Sequence, residues 1–378
     1  MTAVFLRILN ISFTAGWLIL AVIALRLLLR KAPKWLICLL WALVAIRLII
    51  PFSIESALSL IPSNEIISES IVSNQAPSID TGFVVVNNTV NPIISDTFSS
   101  ETQVSHNPIR IFVSIASIVW IIGIAMMLVY AIISFGKLKR QVSTAIPFEK
   151  ESYSYRTFVC DDIQSPFILG IIKPLIFIPS SLDEETSGYV YAHENAHIKR
   201  HDHWWKPLGF LLLSVYWFNP LCWVAYILLC KDIEAACDEK VIKDKDKSYL
   251  ALYSQALLEC AVQRKRISAC PLAFGETGVK SRVKGILSYK KPAFWIIVIA
   301  VVAIIVAAVC FLTNPKKKED GRDTLPELIV SLENDDTYYE ADIRGYAWAL
   351  NDEKEKKEKD ISNVKLHTDF DESVVKII

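Results

Sequence analysis

The chain has 378 residues, 53% of them hydrophobic, with Lys+Arg and Asp+Glu both at 40. That balance gives no basis for nucleic-acid or acidic partners, and a mean hydropathy of +0.37 excludes an ordinary soluble domain in favour of a membrane protein. The eight cysteines lie in or near apolar stretches or around the histidine motif below, with no C-x-x-C pair. No disulfide framework or cysteine metal site is expected, and the soluble part should face a reducing compartment.

The first apolar run, 5–25, is long enough to span a bilayer, carries only Arg7 near its start and has no small-residue cleavage site. It predicts a retained transmembrane helix. The link from Arg26 to Lys34 is short and basic, so the positive-inside rule assigns it to the cytoplasm and the N-terminus to the outside. A second span, 35–50, is short and stopped by Pro51, and Arg47 near its end can snorkel to water. Residues 1–51 thus form two spans. Residues 52–108 turn rich in Ser, Asn, Ile and Val and contain no Lys or Arg, as an extracellular loop would. Within it, Asn87-Asn88-Thr89 is a common triplet of little weight, and His106 reads as a solvated loop residue. A third span, 109–135, returns inward and is followed by Lys137, Lys139 and Arg140. Ser134-Phe135-Gly136-Lys137 at its end matches S-x-x-K by chance.

Residues 136–291 read as a cytoplasmic domain. Short β-rich pieces occur at 157–160, 167–169 and 175–178, punctuated by Gly170, Pro174 and Pro179. A strand there could pair with an extended substrate by edge addition. Ser180 or Ser181 is expected to cap the next helix, whose first turn carries Asp183, Glu184 and Glu185. That helix holds His193-Glu194-Asn195-Ala196-His197, an H-E-x-x-H pattern. Two histidines four apart on a helix share a face and can grip one zinc ion. Glu194 then lies where it can accept a proton from a water nucleophile.

A third ligand has three candidates. His201 continues the same helical face, but three ligands on one straight helix cannot spread tetrahedrally. His203 occupies the last histidine position of the metzincin pattern, but Arg200 stands where that pattern needs glycine, and every methionine lies upstream. The third candidate is Glu234, with Asp238 one turn on; such a pair can supply a ligand and a carboxylate that orients a ligating histidine. Between the two motifs, 208–230 is apolar enough to look like a span, yet a crossing would part Glu234 from His193. Asn219-Pro220 breaks the run, so a membrane-associated helical hairpin is expected. A basic stretch with Lys280, Arg282, Lys284, Lys290 and Lys291 precedes the last span, 292–312. Parity then places the tail, 313–378, outside.

The set His193-Glu194-Asn195-Ala196-His197-Ile198-Lys199-Arg200-His201-Asp202, Phe218-Asn219-Pro220 and Glu234-Ala235-Ala236-Cys237-Asp238-Glu239 resembles the beta-lactam sensor-transducer family. These are membrane zinc metallopeptidases of the bla-regulator and methicillin-resistance-regulator type. The resemblance covers the chain up to the last apolar segment; Asn195 departs from it, where an apolar residue is more usual. It implies a polytopic α-helical membrane protein with an inserted α+β gluzincin-like domain, zinc on His193, His197 and Glu234, and Glu194 as base. It also implies a multi-pass plasma-membrane location, signalling, and cleavage of a cytosolic transcriptional repressor or of the protein itself. Membrane lipid and a protein substrate are the expected partners; a homodimer is compatible with the pattern, and direct nucleic-acid contact is not expected. The tail departs from the family pattern. Ser362-Asn363-Val364-Lys365 matches S-x-x-K but K-T-G is absent, so no penicillin-binding fold is expected there. The rival readings are a catalytically idle membrane transducer and a housekeeping membrane protease.

Overall fold

The computed structural model describes residues 1–50, 55–62, 66–67, 79, 81–98, 108–151, 153–262, 278–315, 329–334 and 337–342. His106 and the Ser362–Lys365 tetrad lie outside the described residues. The chain divides into two units, 1–316 and 317–378. The second is described only as an antiparallel strand pair, Ile329–Asn334 with Thr337–Asp342.

The first unit begins with helices α1 (Thr2–Leu28) and α2 (Lys34–Ile49), a two-residue strand β1 (Glu55–Ser56), α3 (Val84–Phe98) and α4 (Pro108–Gln141). Four strands follow: β2 (Ile146–Phe148), β3 (Thr157–Cys160), β4 (Phe167–Leu169) and β5 (Leu175–Pro179). The remainder is α5 (Glu184–Lys199), α6 (Asp202–Val215), α7 (Pro220–Ile242), α8 (Lys247–Val262), α9 (Val279–Leu287), α10 (Phe294–Leu312) and β6 (Asn314–Pro315). Among the described residues, α1, α4 from Ile109 and α10 are long and apolar enough to cross a membrane. At 16 residues, α2 is about 24 Å long. It nevertheless runs level with α10 from end to end. Lys34 and Ala293 line one cavity at their starts, while Arg47 reaches the Leu312 carbonyl and Asn314 at their ends. Arg47 therefore does not snorkel; it is buried, because these acceptors replace water.

The ends of these helices sort to two sides. Leu6 packs with Ile109 and Val113, and β1 pairs with β6, which gathers the start of α1, the start of α4 and the far ends of α2 and α10. Arg26 and Lys34 lie on the other side, bonded to Asp232 and Glu239 of α7. One apolar core joins the bundle: Leu18, Val22, Leu40, Val44, Phe210, Leu213, Tyr216, Ala300 and Ile304 are all buried in it.

The run 208–230 folds back as α6 and α7 rather than as one rod. Proline at the first position of α7 has no N–H to lose, and Asn219 caps the helix by accepting from the Leu221 N–H. Carbonyls freed by the break find donors: Trp120 Nε1 donates to Val215 O at 2.8 Å and Trp223 Nε1 to Trp217 O at 2.7 Å. The Asn219 amide donates to Ser12 Oγ at 2.8 Å. Broken backbone inside this apolar core is tolerated because neighbouring side chains satisfy it. Gly123 of α4 lies against the Trp217 indole, where a Cβ would collide, so α4 can clasp the turn closely.

The sheet has the order β2-β3-β5-β4, with β3 and β5 parallel and the other pairs antiparallel. β4 is an edge. On β5, Ile176 and Ile178 are buried against Val190, Tyr191 and Ile198 of α5, and the Tyr191 hydroxyl accepts from the Ser154 N–H at 2.6 Å. The sheet thereby fixes the rotation of α5. The cap of α5 falls at Asp183, which accepts from the Thr186 N–H, not at Ser180 or Ser181. The carboxylate there suits the positive helix end, and Ser180 remains tied to the strand through its N–H to Cys160 O.

Candidate metal centre

Helix α5 does not run on to His201. It ends at Lys199, and His201 takes a left-handed conformation with φ 61°. Histidine is among the side chains that tolerate this region. His201 thus does not extend the ligand face. Instead the reversal swings Asp202, at the start of α6, back beside His197. Asp202 Oδ2 lies 2.9 Å from His197 Nδ1. A carboxylate only accepts, so Nδ1 carries the proton and Nε2 keeps its lone pair. His193 is arranged alike. Tyr253 of α8 donates to Asp238 at 2.7 Å, and its oxygen lies 2.8 Å from His193 Nδ1. Arg282 of α9 holds Asp238 by two bonds, at 2.7 and 2.6 Å.

Both imidazoles therefore aim Nε2 inward, where Glu234 of α7 meets them. The separations are 3.1 Å between the two Nε2 atoms, 3.3 Å from His193 Nε2 to Glu234 Oε2 and 3.5 Å from His197 Nε2 to Glu234 Oε1. All three side chains are buried. Two ring nitrogens facing at 3.1 Å are tolerable only around a shared positive charge. Ligands around a tetrahedral zinc ion with bonds of 2.0–2.1 Å would be roughly 3.3 Å apart, so the donor set fits that ion in atom type, spacing and supporting bonds.

The electrostatics agree. Burial and the Arg282 guanidinium push His193 down, but the Asp238 and Glu234 carboxylates outweigh them and hold it up at about 10. The cluster thus favours a cation at that point. Burial opposes ionisation of Glu234, yet Lys206 and the two imidazoles hold its carboxyl well below the ordinary range. Lys206 Nζ donates to Glu234 Oε1 at 2.7 Å. His197, Asp202 and Cys237 form a second close group. Burial pushes the Cys237 thiol well up, so it remains protonated and donates to Asp202 at 3.1 Å.

A cavity of about 440 Å³ opens onto this cluster. Glu194, His193, His197 and Glu234 form its polar end, edge strand β4 one wall, and the apolar C-terminal part of α4, with Ile132 and Phe135, another. His203 lines the cavity but belongs to neither ligating group. In the sequence nothing marks a role for Asp202, Lys206 or Tyr253, and Arg282 shows only as a flanking charge; in the fold Arg282 is buried on Asp238. Its only signal was a cation in a basic run. Asp202 stood in the quoted motif, but its use depends on the turn at His201. Replacing Asp202 by Asn is expected to leave the fold intact and weaken metal binding about 10- to 100-fold, read by competition with a zinc chelating dye.

The sequence profile of the BlaR1 peptidase M56 family matches residues 6–286. The chain belongs to this family. The methicillin resistance mecR1 protein of Staphylococcus aureus is 24% identical over 196 residues, covering 46% of this chain and 33% of that protein. Regulatory protein BlaR1 of Bacillus licheniformis is 31% identical over 169 residues, covering 40% of this chain and 28% of that protein. The match thus spans about a third of the length of these curated relatives. This M56 chain is a membrane protein of a metallopeptidase family, with the buried His193, His197 and Glu234 group as its candidate metal site.

Proposed function

We propose that the chain is an integral-membrane zinc endopeptidase of a signalling system, cutting a cytosolic repressor or itself at the inner membrane face. The observation that carries the reading is the convergence of His193, His197 and Glu234, each imidazole held by a carboxylate, at the end of a cavity beside an edge strand. His193, His197 and Glu234 would hold the ion, with Asp238 and Asp202 orienting the two histidines. Zinc, when bound, supplies Lewis acidity that makes water nucleophilic near neutral pH. Glu194 takes the proton of the attacking water and passes it to the leaving amine. The free edge of β4 lines up an extended substrate by backbone pairing, and the apolar wall of α4 favours substrates with apolar side chains near the membrane. The regulatory relatives support the signalling half of the reading.

The full chain in vesicles should cleave itself, or a winged-helix repressor encoded beside its gene, into fragments seen by mass spectrometry. Phenanthroline should stop cleavage and zinc restore it; fragments that persist under chelation would remove the metallopeptidase reading. The sidedness has its own test. In a cysteine-free background, single cysteines at Asp183 and Lys245 should resist an impermeant thiol reagent in intact cells, while one at Val85 should react. Labelling at Lys245 but not Asp183 would place the two flanks of the hairpin on opposite sides and dissolve the shared site.

A further inference from the structure

A second and larger cavity, of about 840 Å³, lies where α1 ends and α2 and α10 begin, with α7 and α9 closing it behind. Its lining carries eight cationic side chains and four carboxylates. All four carboxylates are already engaged. Asp232 takes Arg26 and the Trp41 N–H, Glu234 takes Lys206, Asp238 takes Arg282, and Glu239 takes the Lys34 backbone N–H. Arg30, Lys31, Lys231 and Lys290 are exposed on its walls and make no ion pair among the described residues. These cations thus line one hollow together. Exposed aromatics stand beside the cavity in sequence. Trp35 in the first turn of α2, and Phe294 and Trp295 in the first turn of α10, are 52%, 70% and 72% exposed, as aromatic anchors at a membrane interface are. Ala293 and Ile296 continue the wall toward the apolar helices, offering a path for glycerol and acyl carbons.

We propose that this cavity binds the phosphate headgroup of an anionic phospholipid of the same leaflet, with Arg30, Lys31 and Lys290 on the phosphate oxygens. The shared chemistry is a phosphate ester, and the interface aromatics select the lipid over a free anion. This inference rests on the membrane reading of α1, α2 and α10, not on the peptidase reading of the metal site. The bound headgroup would lie against the α7–α9 wall that carries Asp238 and Arg282, and so beside the support of His193.

The test uses the full chain in mixed micelles with equimolar phosphatidylglycerol and phosphatidylcholine, with retained lipid counted by native mass spectrometry. The wild type should retain phosphatidylglycerol in preference. Arg30→Gln with Lys290→Gln should cut that preference roughly fivefold for each cation removed, at unchanged zinc content. Lys31→Gln by itself should cut it roughly fivefold and stands in if the first pair misfolds. Lys137→Gln with Lys139→Gln, a matched charge change at the end of α4 outside the cavity, should leave the preference intact. No preference in the wild type, or an equal loss in the control pair, would overturn the proposal. So would glycerol 3-phosphate displacing the lipid at equal concentration, since the site would then take free phosphate.

Discussion

Replacing Glu194 by Gln should leave the metal in place and lower peptide cleavage by about 100- to 10,000-fold, the usual contribution of a positioned general base. Glu194 sits between the two histidines on α5 and is buried at the polar end of the smaller cavity. Burial pushes its carboxyl above the ordinary range, with His197 and His193 pulling the other way. A carboxylate whose affinity for protons is raised is a better acceptor from water than a solvated one. The amide has the same size and cannot take the proton. It also leaves the three inward-facing ligand atoms untouched, so zinc measured by mass spectrometry should stay near one ion per chain while fragments of the substrate vanish. Full cleavage by the Gln variant would assign the base elsewhere, and loss of zinc would make Glu194 a structural part of the centre.

What could be read in the sequence was whatever depends on local periodicity. His193 and His197 are one helical turn apart, as are Glu234 and Asp238, so each pair reveals a shared face without knowledge of the fold. The break at Asn219-Pro220 was equally local, since proline removes a donor and Asn caps. Asp202 was not legible as a partner of His197, because five residues along a continuing helix would carry it well round from that histidine's face. Only the left-handed turn at His201 brings it back, and nothing in the histidine side chain announces that choice. Tyr253 and Arg282 come from helices 60 and 89 residues beyond His193, and their roles arise from tertiary packing. Arg47 was misread for the same reason. Its acceptors, Leu312 and Asn314, lie at the far end of another helix, so a charge that looks solvent-seeking in one segment is satisfied by a second.

Replacing Glu234 by Ala should abolish stoichiometric zinc binding, while His203→Ala should retain it. Glu234 is the one member of the candidate ligand set that α5 does not supply, and Arg26 and Trp41 grip Asp232 two residues before it on α7. That bidentate clamp is the physical link between α1, α2 and the candidate metal centre. A shift of α1 against α2 would be felt first at Asp232 and then, half a turn on, at Glu234. Without the Glu234 carboxylate, two imidazoles remain, too few to hold zinc against water, and Lys206 is left buried with its 2.7 Å partner removed. Weakening the partnership of a buried ammonium destabilises the fold by itself, so Glu234→Gln serves as the second variant. It keeps the shape and a hydrogen-bond acceptor for Lys206 but removes the anionic ligand. Both variants should lose the metal by elemental analysis of the purified full chain. If Glu234→Gln and Glu234→Ala keep one zinc per chain while His203→Ala loses it, the third ligand lies on α6, and the clamp at Asp232 has no bearing on the metal.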